Sequence, residues 1–270
     1  MSKIKFQRKF LAIPYGIFLV LFVVIPMLLI VFYAFTKTDP VTHKTSLSIE
    51  NLTTFFSNSY NLHTFLISLA IGLGNTIICL LIGYPIAYVL AKKELKFSYV
   101  VVLLFVMPMW INFVLRTAAT RDLLYSIGLK GGDHPYIATM IGMVYNYLPF
   151  TILPLYSTML KLDRSLVEAS QDLGANKFQT FVKITFPSTL PGVISAAMMV
   201  FMPTMSSYVI SDVMGERQIS LIGNTIQLYF DQGLWNLGSF VALILLVIIL
   251  VFMFVTRNMD KEEVGRGGLW

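Results

Sequence analysis

Phe65-Leu-Ile-Ser-Leu-Ala-Ile-Gly-Leu-Gly-Asn-Thr-Ile-Ile-Cys-Leu-Leu-Ile-Gly-Tyr-Pro-Ile-Ala-Tyr-Val-Leu-Ala91 runs without one charged side chain and stops at Lys92-Lys93. A helix needs about 20 mostly apolar residues to cross a hydrocarbon core, so this stretch is long enough to span one. Asn75 inside it is read as a group that hydrogen-bonds to another helix, because an amide in lipid is costly without a partner. Working outward, five more stretches qualify: Phe10–Phe35, Tyr99–Ala119, Ile137–Leu160, Leu190–Ile210 and Leu237–Thr256. The third, fourth and fifth of the six carry Pro108, Pro149, Pro154 and Pro203. These predict kinks, which membrane helices tolerate where neighbours or water satisfy the freed carbonyls. The kinked segments are therefore expected to line a cavity.

Composition agrees. Of 270 residues 56% are hydrophobic and only 13% charged, with a mean hydropathy of +0.74, against about a quarter charged in a soluble domain. No polar block is long enough for a soluble domain, so residues 1–270 read as one membrane domain. The fold class expected is an all-α integral membrane protein with six crossings. Lys3, Lys5, Arg8 and Lys9 precede the first apolar run as in a signal peptide, but that run is too long for one and no small-residue cleavage site follows. It reads as an uncleaved first membrane helix.

The net charge of +6 is laid out by topology. Alternate loops hold 14 of the 20 Lys and Arg, the other loops 6, with the acids divided 7 and 7, so one side nets +7 and the other −1. The positive-inside rule places both termini, the Lys92–Lys96 turn and the Lys161–Thr189 loop in the cytoplasm. No Arg- and aromatic-rich module of the kind that grips single-stranded nucleic acid is present. Cys79 is the single cysteine, and His43, His63 and His134 lie far apart in predicted loops, so neither a disulfide nor a metal site is expected.

The loop before the fifth stretch, Glu168-Ala-Ser-Gln-Asp-Leu-Gly-Ala-Asn-Lys-Phe-Gln-Thr-Phe-Val-Lys-Ile-Thr-Phe-Pro187, reads as two short helices joined at a glycine. Ser165 and Glu168 have the spacing of a capping box. Leu166, Ala169 and Leu173 share one helical face, and Gly174 falls where a left-handed residue ends a helix. Asn176 can cap the second helix, in which Phe178, Phe181 and Val182 share a face. Pro187 and Pro191 are expected to end that run. Such an amphipathic elbow needs a cover, either lipid headgroups or a protein groove; its near balance of Lys161, Arg164, Lys177 and Lys183 against Asp163, Glu168 and Asp172 fits the groove better.

The pattern Glu168-Ala169-x3-Leu173-Gly174-Ala175, then Ile184-x-x-Pro187 and Pro191, resembles the EAA loop of binding-protein-dependent ABC importer permeases. It also stands in the family's topological position, between the fourth and fifth of six helices. The family pattern reads Glu-Ala-Ala; Ser170 here is a small departure that should leave docking intact. The resemblance implies that residues of about 161–191 form a cytoplasmic coupling helix, with Glu168, Ala169, Asp172, Leu173, Gly174 and Ala175 seated in a cleft of a separate ATPase. Pro108-Met-Trp-Ile-Asn-Phe-Val-Leu-Arg116, Tyr145-x-x-Leu-Pro-Phe150, Pro154-Leu-Tyr-Ser157, Lys161-Leu-Asp163, Ser211-Asp-Val-Met-Gly215 and Leu221-Ile-Gly-Asn-Thr225 resemble the spermidine/putrescine branch of that family.

That resemblance implies a translocation pathway for a polyamine in the bacterial cytoplasmic membrane, working by alternating access. It implies as partners a homodimeric ABC ATPase, a second related permease chain and an extracytoplasmic polyamine-binding protein. Iron, thiamine, phosphate or molybdate is the alternative cargo. The chain has no G-x-x-x-x-G-K-[ST] phosphate loop, so it is not expected to be an enzyme or to hold a cofactor; ATP and Mg belong to the partner.

A polycation's route should offer carbonyls, carboxylates and aromatic faces. Asp212, with Tyr208 beside it, stands at the expected end of the fifth segment; it could serve a translocation mouth, or cap the next element or pair with Arg217. Glu216 reads as a solvated loop acid. Trp110, Asn112, Tyr145 and Asn146 lie in kinked segments and are pathway candidates, although Trp110 also suits an interfacial belt. Arg116 is expected to pair with a carboxylate or to snorkel.

Overall fold

The computed structural model describes residues 12–38, 44–92 and 97–267. His43 and the basic residues Lys3, Lys5, Arg8, Lys9, Lys93 and Lys96 lie outside them. In chain order the elements are α1 (Ala12–Leu19), a π turn (Val20–Val24), α2 (Ile25–Ala34), β1 (Thr36–Thr38), β2 (Thr45–Leu47), α3 (Glu50–Ser57) and α4 (Ser59–Ala91). Then come α5 (Ser98–Val106), a 3-10 turn (Met107–Trp110), α6 (Phe113–Ser126), α7 (Pro135–Met159), α8 (Arg164–Asp172), α9 (Lys177–Thr180) and a π turn (Phe181–Thr185). The chain closes with α10 (Phe186–Ser206), α11 (Val209–Met214), α12 (Ile222–Asp231) and α13 (Trp235–Gly267).

Five helices among the described residues are long and apolar enough to cross a membrane: Ile13–Ala34, Ser59–Ala91, Pro135–Met159, Lys177–Ser206 and Trp235–Thr256. The remaining crossing expected from the sequence, Tyr99–Ala119, third in chain order, is not one kinked helix. It breaks after Trp110, and the halves Ser98–Trp110 and Phe113–Ser126 meet at 102°. The break follows Pro108, which cannot donate to the preceding turn. Ile111 takes an extended conformation, and Asn112 then opens α6 as its N-cap, accepting from the amides of Val114 and Leu115.

Other prolines stand inside helices that continue past them. Pro149 and Pro154 lie within an unbroken α7, and Pro203 within α10. Pro187 and Pro191 do not end the second elbow helix; helix continues from Lys177 to Ser206. The π turn just before Pro187 explains this, because the Phe186 amide reaches back five residues to the Phe181 carbonyl and absorbs the register that a proline disturbs. The fifth long helix ends at Ser206, so Asp212 belongs to the separate α11. The all-α expectation is also corrected by one small antiparallel pair, in which Thr36 faces Leu47. His63 sits in α4, not in a loop.

By contact the chain forms two compact units. In the unit built from residues up to Leu62 and Thr225–Leu246, the Asn236 amide donates to the carbonyls of Tyr33 and Thr36. Asn51 donates to those of Ala34 and Thr36, and the Tyr229 hydroxyl donates to Asn61. Phe55 is buried with its ring against Phe56 and Phe240.

The larger unit, His63–Asn224 with Val247–Trp270, has a core of Ile71, Cys79, Met143, Val200, Ile210 and Met214. Helix α10 packs closely on α7: a β-carbon at Gly192 would lie 2.6 Å from the Thr158 hydroxyl oxygen. Small residues permit this approach where lipid gives no hydrophobic drive for helices to associate. The expected role of Asn75 holds, since its amide donates to the Thr204 hydroxyl at 2.7 Å, both buried.

Candidate functional site

The elbow between α7 and α10 is capped at every end. Asp163, not Ser165, is the N-cap of α8, with its carboxylate accepting from the Ser165 amide at 2.9 Å. That bond holds the exposed Asp163 carboxyl below the usual carboxylate range. At the other end Gly174 has φ +85°, its amide donates to the Gln171 carbonyl, and the Ala175 amide donates to the Ser170 carbonyl. These two bonds make a Schellman motif. Asn176 and Gln179 then exchange side-chain and backbone bonds at 2.8 and 3.0 Å in a full capping box for α9. Removing an N-cap of this kind costs about 1 kcal/mol. Asn176→Ala should therefore raise amide exchange at Gln179 and Thr180 about fivefold in a hydrogen-exchange measurement.

The elbow's second half is bound to α4. Tyr84 and Tyr88, one helical turn apart, both meet the Phe181 ring edge-on, at centroid distances of 5.8 and 6.1 Å. Tyr84 also meets Phe186 at 5.8 Å, and its hydroxyl shares a 2.8 Å hydrogen bond with Thr189. Aromatic pairs of this kind contribute about 0.5–1.5 kcal/mol each beyond their area burial. Across the elbow the Ser170 and Thr180 hydroxyls lie 2.9 Å apart, so the residue that departs from the Glu-Ala-Ala pattern ties α8 to α9.

What remains open is the opposite surface. Leu173 is 90% exposed, Phe178 75% and Leu166 50%, with Glu168, Ala169, Asp172 and Gly174 exposed around them. Covering three such apolar side chains would contribute about 1.5–3 kcal/mol each. A hollow of about 410 Å³ adjoins the elbow, lined by residues that include Tyr88, Val167, Gln171, Phe178 and Phe181.

At the bent pair the structure brings two of the sequence candidates, Tyr145 and Asn146, to Arg116. Arg116 is buried, and it neither pairs with a carboxylate among the described residues nor snorkels. Its Nε donates to Asn146 Oδ1 at 2.9 Å, an Nη donates to the Pro108 carbonyl at 2.7 Å, and its guanidinium lies 5.7 Å from the Tyr145 ring centroid. The carbonyl at the break, which also accepts from the Ile111 amide, thus gains a charged donor. Asn146 is fully engaged, donating also to Thr117 and to the Gly142 carbonyl. Asn112 spends its side chain on the cap of α6, while Trp110 is 85% exposed.

Tyr208 and Asp212 belong to a second polar cluster. Asp212 accepts from Asn224 Nδ2 at 2.5 Å, the same amide donates to the Tyr208 carbonyl, and Asn224 Oδ1 accepts from Ser211 and from the Leu221 amide. The carboxylate's hydrogen-bond partner is Asn224, which the sequence did not suggest, and Arg217, its expected partner, acts as a nearby charge. Partial burial pushes the Asp212 carboxyl up, with Arg217 and the Asn224 bond drawing it back. Glu216 is not simply solvated, since the Tyr125 hydroxyl donates to its carboxylate.

Residues 5–263 match the family model described as binding-protein-dependent transport system inner membrane component. The spermidine/putrescine transport system permease protein PotB of Haemophilus influenzae is 35% identical over 95% of both chains. Its namesake in Escherichia coli is 34% identical over 90% of this chain and 96% of that one. The chain belongs to this permease family. Solved structures agree on the fold. A bacterial ABC transporter involved in the import of alginate superposes with a TM-score of 0.66 at 16% identity, covering 93% of this chain and 94% of that one. The MetNI methionine transporter, in inward-facing conformations, gives 0.57 at 17% identity, over 76% of this chain and 99% of that one.

The permease is therefore a multi-pass membrane transport component and not an enzyme. Sequence reasoning missed its Tyr84–Phe181–Thr189 junction and the bond from Arg116 to Asn146. The i, i+4 tyrosines of α4 were a signal for the first. Nothing local signalled the second, because its partners lie on different helices.

Proposed function

We propose that this permease is the membrane-spanning subunit of an ATP-driven polyamine importer, with residues 1–270 as one permease domain in the bacterial cytoplasmic membrane. The observation that carries the cargo is the similarity, over nearly the whole chain, to permeases named for spermidine and putrescine. Six crossings put both termini and the elbow in the cytoplasm. There Leu173, Phe178 and their exposed neighbours dock on a dimeric ATPase that supplies ATP and Mg. A second related permease chain completes the pathway, and an extracytoplasmic binding protein delivers the cargo.

ATP-driven closure of the ATPase pair biases two global states, inward-facing and outward-facing. Asp212 and Tyr208 serve the mouth of the route, and Trp110, Asn112, Tyr145 and Asn146 serve the bent segment. Labelled spermidine uptake by cells carrying the whole transporter, with and without ATP, tests the reading. Competition by unlabelled putrescine, iron, thiamine, phosphate or molybdate identifies the cargo, and uptake of none of the polyamines would remove them.

Asp212→Asn should lower spermidine uptake while the complex still assembles. A partly screened ion pair is worth on the order of 1 kcal/mol, which is about fivefold. Because the Asp212 carboxyl titrates above the ordinary range, wild-type uptake should fall on acidification sooner than an unshifted aspartate would dictate. The Asn variant should lose that limb of the pH profile, and an unchanged profile would take Asp212 off the route.

A further inference from the structure

We propose that Phe181 is a positioning residue that carries motion of the elbow into α4, alongside the path into α10. The inference rests on the coupling role assigned to the elbow above. Helix α10 continues the elbow without a break from Lys177 to Ser206, so any displacement of α9 reaches it through the backbone. Helix α4 has no such covalent connection to the elbow. It meets the elbow at the ring of Phe181, held edge-on by Tyr84 and Tyr88, and it meets α10 separately through Tyr84 with Thr189 and Asn75 with Thr204.

The same ring stands where displacement of α8 would arrive. Ser170 of α8 is bonded to Thr180, the residue before Phe181. Phe181 opens the π turn, a local departure from α geometry that gives the chain a point of adjustment. It also borders the hollow beside the elbow, which leaves room on one side for the ring to shift. Tyr84, Tyr88 and Phe186 surround the ring and the hollow adjoins it, so the ring is both held by α4 and able to shift. The outward-facing Phe178, one turn earlier, lacks these partners and belongs to the docking face.

The test uses the assembled transporter with spin labels at Leu81→Cys on α4 and Met199→Cys on α10, both exposed, and a third label on the ATPase. The single native cysteine, Cys79, is buried. In the wild type, ATP should change the distance from the ATPase label to both sites by about 1–2 Å or more, the size of helix shifts in such transitions. Phe181→Leu should reduce the change at α4 well below its wild-type size, keep the change at α10, and retain the ATPase. Spermidine taken up per ATP hydrolysed should fall at least about fivefold, the lower end of site-to-site coupling. Phe181→Tyr should preserve both responses, and Tyr84→Leu should match Phe181→Leu, with the double variant no worse than either.

An α4 response of wild-type size in Phe181→Leu overturns the proposal. So does loss of the ATPase in that variant, which would make Phe181 a docking residue. A wild-type complex in which neither distance responds to ATP would instead overturn the coupling role of the elbow, and this inference with it.

Discussion

Gly174→Val is expected to lower uptake and ATPase retention about tenfold, whereas Gly174→Asn is expected to leave most of both. Gly174 has φ +85° and nothing lies within 4 Å of where its β-carbon would stand, so the effect is one of backbone and not of collision. An L-residue held in the left-handed region costs about 1–2 kcal/mol, and a β-branched one is an outlier there. Asn visits that region readily. The strain falls on the two bonds of the Schellman motif, from Gly174 to Gln171 and from Ala175 to Ser170. If they open, Leu173 is no longer presented to the partner. Because 1.4 kcal/mol is tenfold in an equilibrium constant, ATPase retention should fall about tenfold for Val and less for Ala. Retention that is equal across Asn, Ala and Val would show that the turn does not control docking.

Arg116→Met is expected to destabilise the permease and loosen the bent segment. The variant leaves Asn146 Oδ1 buried without the donor it now has, and takes from the Pro108 carbonyl its charged partner, leaving only the Ile111 amide. Hydrogen bonds within membranes average only about 0.6 kcal/mol. A buried acceptor left unpaired costs about 1–3 kcal/mol, and that larger cost governs here. At about 2–4 °C per kcal/mol for a chain of this order, the unfolding temperature in detergent should drop by about 5 °C. Arg116→Lys should rescue little, since one ammonium cannot reproduce a fork that reaches two acceptors. Asn146→Leu should lower stability too, and the double variant should cost less than the two singles together. Additive losses would mean that the two residues do not act as a unit.

The crossings, the elbow and its glycine were legible because each rests on a local rule. Apolar length marks a membrane helix, Asn176 with Gln179 caps a short one, and a glycine after Leu173 supplies the left-handed residue that ends α8. Local rules failed where several prolines competed. Pro108 broke its segment outright, while Pro149, Pro154 and Pro203 stayed within continuous helices. The carbonyl that a proline frees lies four residues before it and needs a donor from elsewhere, and whether one is at hand is set by tertiary neighbours. The cap of α8 was misread by two residues because Asp163 and Ser165 can both cap, and the geometry of the chain leaving α7 selects Asp163.

By itself the sequence determined a chain built for lipid, its family, the elbow and the residues that shape its turn, because hydropathy, charge and turn chemistry are properties of short segments. Only the tertiary structure decided what the polar groups between helices do. Arg116 answers a broken helix instead of an acid, Asp212 meets Asn224 in a separate short helix, and Phe181 turns from the docking face to join α4. A polar or aromatic group within a membrane fold must find its partner on another helix, and which helix that is depends on packing between segments far apart in the chain.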